Sequence, residues 1–136
     1  MKKSVISLIA ILALSFAWSG WALEPIPTID GHYQRINPKD DATIDLKKLT
    51  HDSVNVDAMA FWKGSGLGQI HSGEVKEPCA YDATKNVVTY HTEGCKIIMK
   101  LDATFQTINV DEIGTCGGLN VTFKGQYQRR GPSKQK

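Results

Sequence analysis

The chain has 136 residues, of which 41% are hydrophobic and 22% charged, and its formal net charge is +2. This length is enough for one domain with a core of its own. Two of the 16 Lys+Arg residues, Lys2 and Lys3, lie in a predicted export signal, and their removal leaves 14 basic against 14 acidic residues. A neutral domain lacks the clustered cations on which nucleic-acid binding depends, so we expect no nucleic-acid partner.

The first 22 residues have the three parts of an export signal. Lys2 and Lys3 give the positive start, SVISLIAILALSFAW the apolar run, and Gly20 and Ala22 the small side chains that signal peptidase requires. We predict cleavage after Ala22, which leaves residues 23–136 as a single domain in the periplasm or outside a bacterial cell. A retained membrane anchor is the alternative, but the run is shorter than the roughly 20 apolar residues of a membrane span. We therefore expect no membrane insertion after cleavage.

Beyond the signal, short runs of alternating apolar and polar residues are separated by clusters of Gly, Pro, Asn and Asp. This pattern is typical of strands joined by turns, and no long segment keeps a helical period. Short turns and one polar face per strand favour an antiparallel meander. The chain is therefore predicted to be all-β, with strands at 31–36, 43–49, 54–62, 69–76, 79–82, 87–92, 95–101, 104–110 and 119–129.

The side-chain period of two residues predicts which side chains point into the core. Three segments alternate most clearly: VNVDAMAFW, CKIIMKL and LNVTFKGQY. Their predicted inward residues are Val54, Val56, Ala58, Ala60 and Trp62; Cys95, Ile97, Met99 and Leu101; and Leu119, Val121, Phe123, Gly125 and Tyr127.

A pentapeptide near the start, GHYQR at 31–35, is nearly repeated near the end as GQYQR at 125–129. An open sheet of eight or nine strands would have two exposed edges, whereas pairing of the first strand with the last closes a barrel. Glycine permits a bend there and a tyrosine ring covers the adjacent space. We therefore predict a small barrel of about eight strands with Gly31, Tyr33, Gly125 and Tyr127 at its seam, Tyr33 close to Tyr127. An open sandwich with a chance repeat is the alternative.

The C-terminal third, CKIIMKL…INVDEIGTCGGLNVTFKGQYQR, resembles the ending of small exported bacterial β-barrel proteins of unassigned activity. The shared features are a Cys that begins a strand, a Cys-Gly turn, and an Asn-Val segment that ends in Gly-x-Tyr. The resemblance implies a Cys95–Cys116 disulfide, which an oxidising compartment permits. Cys79–Cys95 is the alternative pairing, and an unpaired Cys79 would be a buried thiol or a point of intermolecular pairing. In type only, the chain is similar to periplasmic lysozyme inhibitors.

Four side chains could offer nitrogen and sulfur ligands to zinc or copper, namely His71, Cys79, His91 and Cys95. Their spacing matches no compact metal-binding motif, so we predict neither a metal nor a cofactor. The sequence contains no Gly-x-Ser-x-Gly or Cys-x-x-Cys motif, which leaves an enzyme that uses His71 and His91 as the least favoured hypothesis.

The other polar residues of note are predicted to be exposed. The adjacent carboxylates Asp111 and Glu112 are interpreted as solvated turn charge, because neighbouring strand residues face opposite ways. His32 and His51 are placed on the surface beside turns. The basic tail RRGPSKQK, residues 129–136, is predicted to be frayed and solvated.

A candidate binding loop lies in AFWKGSGLGQIHSGE, where Phe61, Trp62, Lys63 and Ser65 adjoin a glycine-rich turn. One of the two rings should point outward, although both could instead plug the barrel mouth. We expect an exported, non-enzymatic protein that binds a protein or cell-envelope partner, with lysozyme inhibition as one form of that role. The alternative is a small-ligand carrier, which Tyr33, Trp62, Met99 and Phe123 would exclude if they filled the interior.

Overall fold

Each strand of this chain pairs with the next, and the last strand returns to the first to close a barrel. The computed structural model describes residues 25–36, 41–66 and 68–136, so the predicted signal lies outside the described residues. All pairings are antiparallel. The predicted all-β meander and the pairing of the first and last strands are confirmed. The strands are β1 Gly31–Arg35, β2 Ala42–Lys48, β3 Ser53–Lys63, β4 Ile70–Asp82, β5 Val87–Thr92, β6 Cys95–Leu101, β7 Thr107–Gly114 and β8 Gly125–Gly131.

The strand predicted at 104–110 is shifted to β7, Thr107–Gly114, because a turn closed by the Phe105 amide and the Asp102 carbonyl occupies its start. Two larger errors concern β4 and β8. The strands predicted at 69–76 and 79–82 form one continuous β4. Tyr81 donates its amide to the carbonyl of Asp52 before β3, and alternate residues of a strand direct their backbone to the same neighbour. The nitrogen of Pro78 therefore points away from β3, where its missing proton breaks no bond of that ladder.

The second error is the strand predicted at 119–129, of which only the part from Gly125 onward is strand. Asn120 has a φ of 62°, outside the extended region, and the amide of Phe123 donates to the carboxylate of Glu112 instead of a sheet partner. Val121 and Phe123 are nevertheless buried as predicted, whereas Leu119 is 70% exposed.

The barrel interior is occupied by the side chains that the alternation places inward. The largest fully buried residues come from β1, β2, β3, β5, β6, β7, β8 and the segment before β8. They are Tyr33, Tyr127, Phe123, Ile44, Leu46, Ile97, Met99, Ile108, Val54, Val56 and Val88. Trp62, by contrast, is only partly buried and packs against the edge of this core.

The meander gives the barrel two distinct ends. At the lead-in end, defined by residues 25–30 and the turns at 49–52, 83–86 and 102–106, Ile29 is buried and the Asp30 carboxylate accepts the amide proton of Lys48 at 2.7 Å. The hairpin end is defined by the β3–β4 connection, the β5–β6 turn and the loop 115–124. Among the described residues there is no helix of sufficient length and hydrophobicity to cross a membrane.

The repeated pentapeptides lie opposite each other in the β1–β8 pair. Tyr33 faces Arg129 and Arg35 faces Tyr127, so the two tyrosines are diagonal neighbours on the same face of adjacent strands. Both rings are fully buried. Each hydroxyl donates to the carbonyl four residues upstream, Tyr33 to Ile29 at 3.3 Å and Tyr127 to Phe123 at 2.7 Å.

The two arginines extend this local two-fold relation. Arg35 donates to the carbonyls of Thr122 and Lys124, which lie three residues and one residue before Gly125. Arg129 donates in the same way to the carbonyls of Thr28 and Asp30, which lie three residues and one residue before Gly31. A Cβ on Gly125 would lie 2.9 Å from Cδ of Arg35, and one on Gly31 would lie 3.1 Å from Nε of Arg129. Each glycine therefore makes room for the arginine of the other copy. We call these six residues, Gly31, Tyr33, Arg35, Gly125, Tyr127 and Arg129, the seam cluster.

His32 is buried, which contradicts its predicted surface position, because the C-terminal tail lies over it. The Nζ atom of Lys134 lies 3.1 Å from Nε2 of His32, and Nδ1 of His32 lies 2.8 Å from the carboxylate of Asp45. Lysine can only donate, so Nε2 accepts and the proton of His32 sits on Nδ1. The side chain of Gln135 donates to the main-chain carbonyl of Asp45 and accepts from the side-chain NH2 of Asn55. The tail is docked rather than frayed.

Candidate functional site at the hairpin end

The predicted binding loop lies at the tip of the long β3–β4 hairpin. Trp62 continues the inward row of β3, and its ring meets His71 edge-on with 5.3 Å between centroids. Phe61 lies on the opposite, outer face of β3. Lys63 and Ser65 are exposed, and the Lys63 ammonium lies 3.6 Å from the Asp41 carboxylate. Trp62 therefore covers the barrel mouth, while Phe61, Lys63 and Ser65 lie on the outer side.

The mouth beneath this tip is filled by the segment 115–124, which we call the mouth loop. The Cys95–Cys116 disulfide implied by the resemblance is present and ties this loop to the start of β6. The carboxylate of Glu112 accepts from the amide of Phe123 at 2.7 Å and the hydroxyl of Thr122 at 3.1 Å. The prediction that Glu112 is solvated turn charge is thus wrong, because this carboxylate orders the loop from β7.

The mouth loop also contacts the β3–β4 hairpin directly. A Cβ on Gly73 would lie 2.4 Å from the Cα of Gly117, and one on Gly117 would lie 2.5 Å from a methyl of Val121. Such distances are shorter than real side-chain contacts, so the hairpin approaches the loop this closely only because residue 73 is glycine, while glycine at 117 leaves room for Val121 within the loop. The loop thereby fixes the position of the hairpin over the mouth.

Large apolar side chains are exposed around this end. They are Ile36 after β1, Ile70 at the start of β4, Ile113 near the end of β7 and Leu119 in the mouth loop, and they are 47%, 64%, 60% and 70% exposed. At the lead-in end, Ile26 and Leu49 are the large apolar residues exposed in the described part of the chain. The hairpin end therefore combines an apolar rim with the cations Lys63, Lys96 and Lys124.

The four residues considered as metal ligands make other contacts or lie apart from one another. Cys95 is in the disulfide, His71 packs on Trp62, and His91 is exposed on β5. Burial, with a smaller contribution from the Glu77 carboxylate, raises the pKa of the Cys79 thiol to about 11. In residues 25–36, 41–66 and 68–136, no three His, Cys, Asp or Glu side chains are grouped so as to hold a metal.

Several residues that organise the structure were not singled out from the sequence. Arg35 and Arg129 end the two repeated pentapeptides, so the repeat itself carried a signal for them. Asp45 and Lys134 interact across a distance in the chain that leaves no local pattern, whereas Glu112 was noted but predicted to be solvated.

Comparisons with models of protein families, with curated proteins and with solved structures find no match to this chain. A barrel fold by itself does not indicate a function, because the same fold supports many. The inference about function therefore starts from the surface and interior of this barrel.

Proposed function

We propose that the chain is an exported, non-enzymatic protein that binds a protein or cell-envelope partner through the hairpin end. The observation that carries the proposal is the exposure of Ile70, Ile113 and Leu119 at one end of the barrel. Large exposed apolar residues bordered by polar ones are typical of protein interaction sites. Phe61, Lys63 and Ser65 on the outer side of the hairpin extend this surface.

The filled interior favours binding at the surface over the alternative role as a ligand carrier. Tyr33, Met99 and Phe123 are fully buried in the interior, and Trp62 covers the mouth. A carrier of this size needs an enclosed space for its ligand. A co-purified small molecule found by native mass spectrometry would reverse this preference.

The disulfide supports the exported location, because such bonds persist in oxidising compartments such as the periplasm. We propose the periplasm or the cell exterior as the place of action. A lysozyme is the first partner to test, since its inhibitors include small periplasmic barrels, and extracted envelope material is the second.

The experiment compares purified protein with two matched double variants. Ile70→Ser with Leu119→Ser removes apolar surface at the hairpin end, and Ile26→Ser with Leu49→Ser removes exposed apolar surface at the lead-in end. Binding to lysozymes and to envelope extracts is measured by surface plasmon resonance, together with lysozyme activity.

We expect the hairpin-end pair to weaken binding by about tenfold or more and the lead-in pair to leave it unchanged. Equal losses in both pairs would place the contact elsewhere. The absence of binding to either class of partner would contradict the proposal.

A further inference from the structure

The β4 strand has a neighbour along only part of its length. All of β4 pairs with β3, but only Ala80, Tyr81 and Asp82 pair with β5. The β5 strand turns into β6 after Thr92, with Gly94 at a φ of 77° in the turn. Within the described residues, the edge of β4 from Ile70 to Cys79 therefore faces no other strand.

The backbone groups on this edge can be assigned from the pairing. The amide of Tyr81 points to the β3 side, so the odd-numbered residues of β4 bond to β3 and the even-numbered ones point to the free edge. Ser72, Glu74 and Lys76 thus direct both an N–H and a C=O outward, whereas Pro78 offers only its C=O. Their side chains are all exposed.

We propose that this edge, from Ser72 to Pro78, pairs with the same edge of a second copy of the chain. Two β4 edges related by a two-fold axis run antiparallel, as a continuous sheet across two barrels requires. With Val75 on the axis, Glu74 of each copy lies opposite Lys76 of the other. This register gives about six backbone hydrogen bonds and two cross-strand pairs of opposite charge.

The charges select this register over its neighbours. Only shifts by two residues in one strand keep the outward-directed backbone groups opposite each other. A shift in one direction places Glu74 of one copy opposite Glu74 of the other copy. A shift in the opposite direction places Lys76 of one copy opposite Lys76 of the other copy. Like charges directly opposite each other destabilise a strand pair, so both are disfavoured. This self-complementarity is what favours a second copy over a strand of a different protein.

The proposal is independent of the partner assigned to the hairpin end, and charge exchange tests it. The variants are Glu74→Lys, Lys76→Glu and the double variant with both changes, each analysed by sedimentation velocity over a wide concentration range. For the unaltered protein and each variant, mass spectrometry identifies the N-terminus of the exported protein and circular dichroism shows whether it is folded. Lys100→Glu, an exposed change on β6, is the matched control.

We expect a reversible monomer–dimer equilibrium in the unaltered protein and in the control. Each single variant should weaken association by about tenfold, because both pairs become repulsive. An equimolar mixture of the two single variants, and the double variant alone, should restore association. Hydrogen exchange should also show concentration-dependent protection at the amides of Ser72, Glu74 and Lys76.

Any of three association results would overturn the proposal. They are a protein that remains monomeric at every concentration, a dimer whose strength is unaffected by Glu74→Lys, and a mixture of the single variants that associates no better than either alone. Protection confined to amides outside β4 would assign the dimer to another surface.

Discussion

The hydroxyl of Tyr127, in the seam cluster, is predicted to contribute a measurable part of the free energy of unfolding. This hydroxyl donates to the carbonyl of Phe123 at 2.7 Å in a site where both residues are fully buried. Tyr127→Phe removes the donor and leaves the carbonyl in a place that water does not reach. We expect a loss of about 1–3 kcal/mol in the free energy of unfolding, the range for a buried acceptor without a donor.

Tyr33→Phe should cost less than Tyr127→Phe. The hydroxyl of Tyr33 lies at longer distances from its acceptors, 3.3 Å from the carbonyl of Ile29 and 3.0 Å from that of Phe105. Arg129 also donates to the carbonyl of Phe105, so that acceptor keeps a partner. The ranking therefore follows from the distances and from the remaining donors.

Thermal and urea denaturation followed by circular dichroism measures both changes. For a domain of this size, the melting temperature of Tyr127→Phe should fall by roughly 4–12 °C. Tyr90→Phe is the matched control, because in the described part of the chain the hydroxyl of Tyr90 makes no hydrogen bond. A Tyr127→Phe variant as stable as the Tyr90→Phe control would refute the assigned role of the seam hydroxyl.

Three further predictions follow from burial and close contact. Cys79 should not react with a thiol reagent at about pH 8 until the protein is unfolded, since burial raises its pKa to about 11; rapid labelling of the native protein would contradict this. Gly73→Ala should lower the free energy of unfolding by about 1–3 kcal/mol in thermal melts, because its Cβ would meet the mouth loop, while Gly66→Ala, which meets nothing within 4 Å, should be much milder. Burial raises the pKa of Tyr33 and of Tyr127 to about 12. The stability that depends on their neutral hydroxyls is therefore fully present below pH 10 and is lost as the pH rises through about 12. A urea midpoint that stays constant between pH 10 and about 12 would contradict this prediction.

The barrel could be predicted from the sequence because its signals are local or repeated. Alternation identified the inward faces of β3 and β6, and the repeated pentapeptide predicted the pairing of β1 with β8. The roles of Arg35 and Arg129 were not visible, because their acceptors are main-chain carbonyls, which every residue has. The pattern of the repeat gave their positions without their function.

Two of the errors arose where a distant group replaced a local one. Residues 119–124 alternate like a strand, yet the Glu112 carboxylate takes the amide of Phe123 from across the chain. His32 was predicted to lie on the surface, yet the tail buries it through Lys134. The exposed rim at the hairpin end also needed coordinates, because an isolated Ile or Leu in a sequence does not reveal which end of a barrel it occupies.

The seam also has a consequence for the order in which the protein matures. Until β8 is available, β1 has only β2 as a neighbouring strand, and β8 is the last of the strands in the described residues. Pairing between such remote segments is slow, since a long stretch of polypeptide must be ordered before the contact forms. A nascent chain emerging N-terminus first therefore cannot close its barrel until β8 has emerged and reached β1.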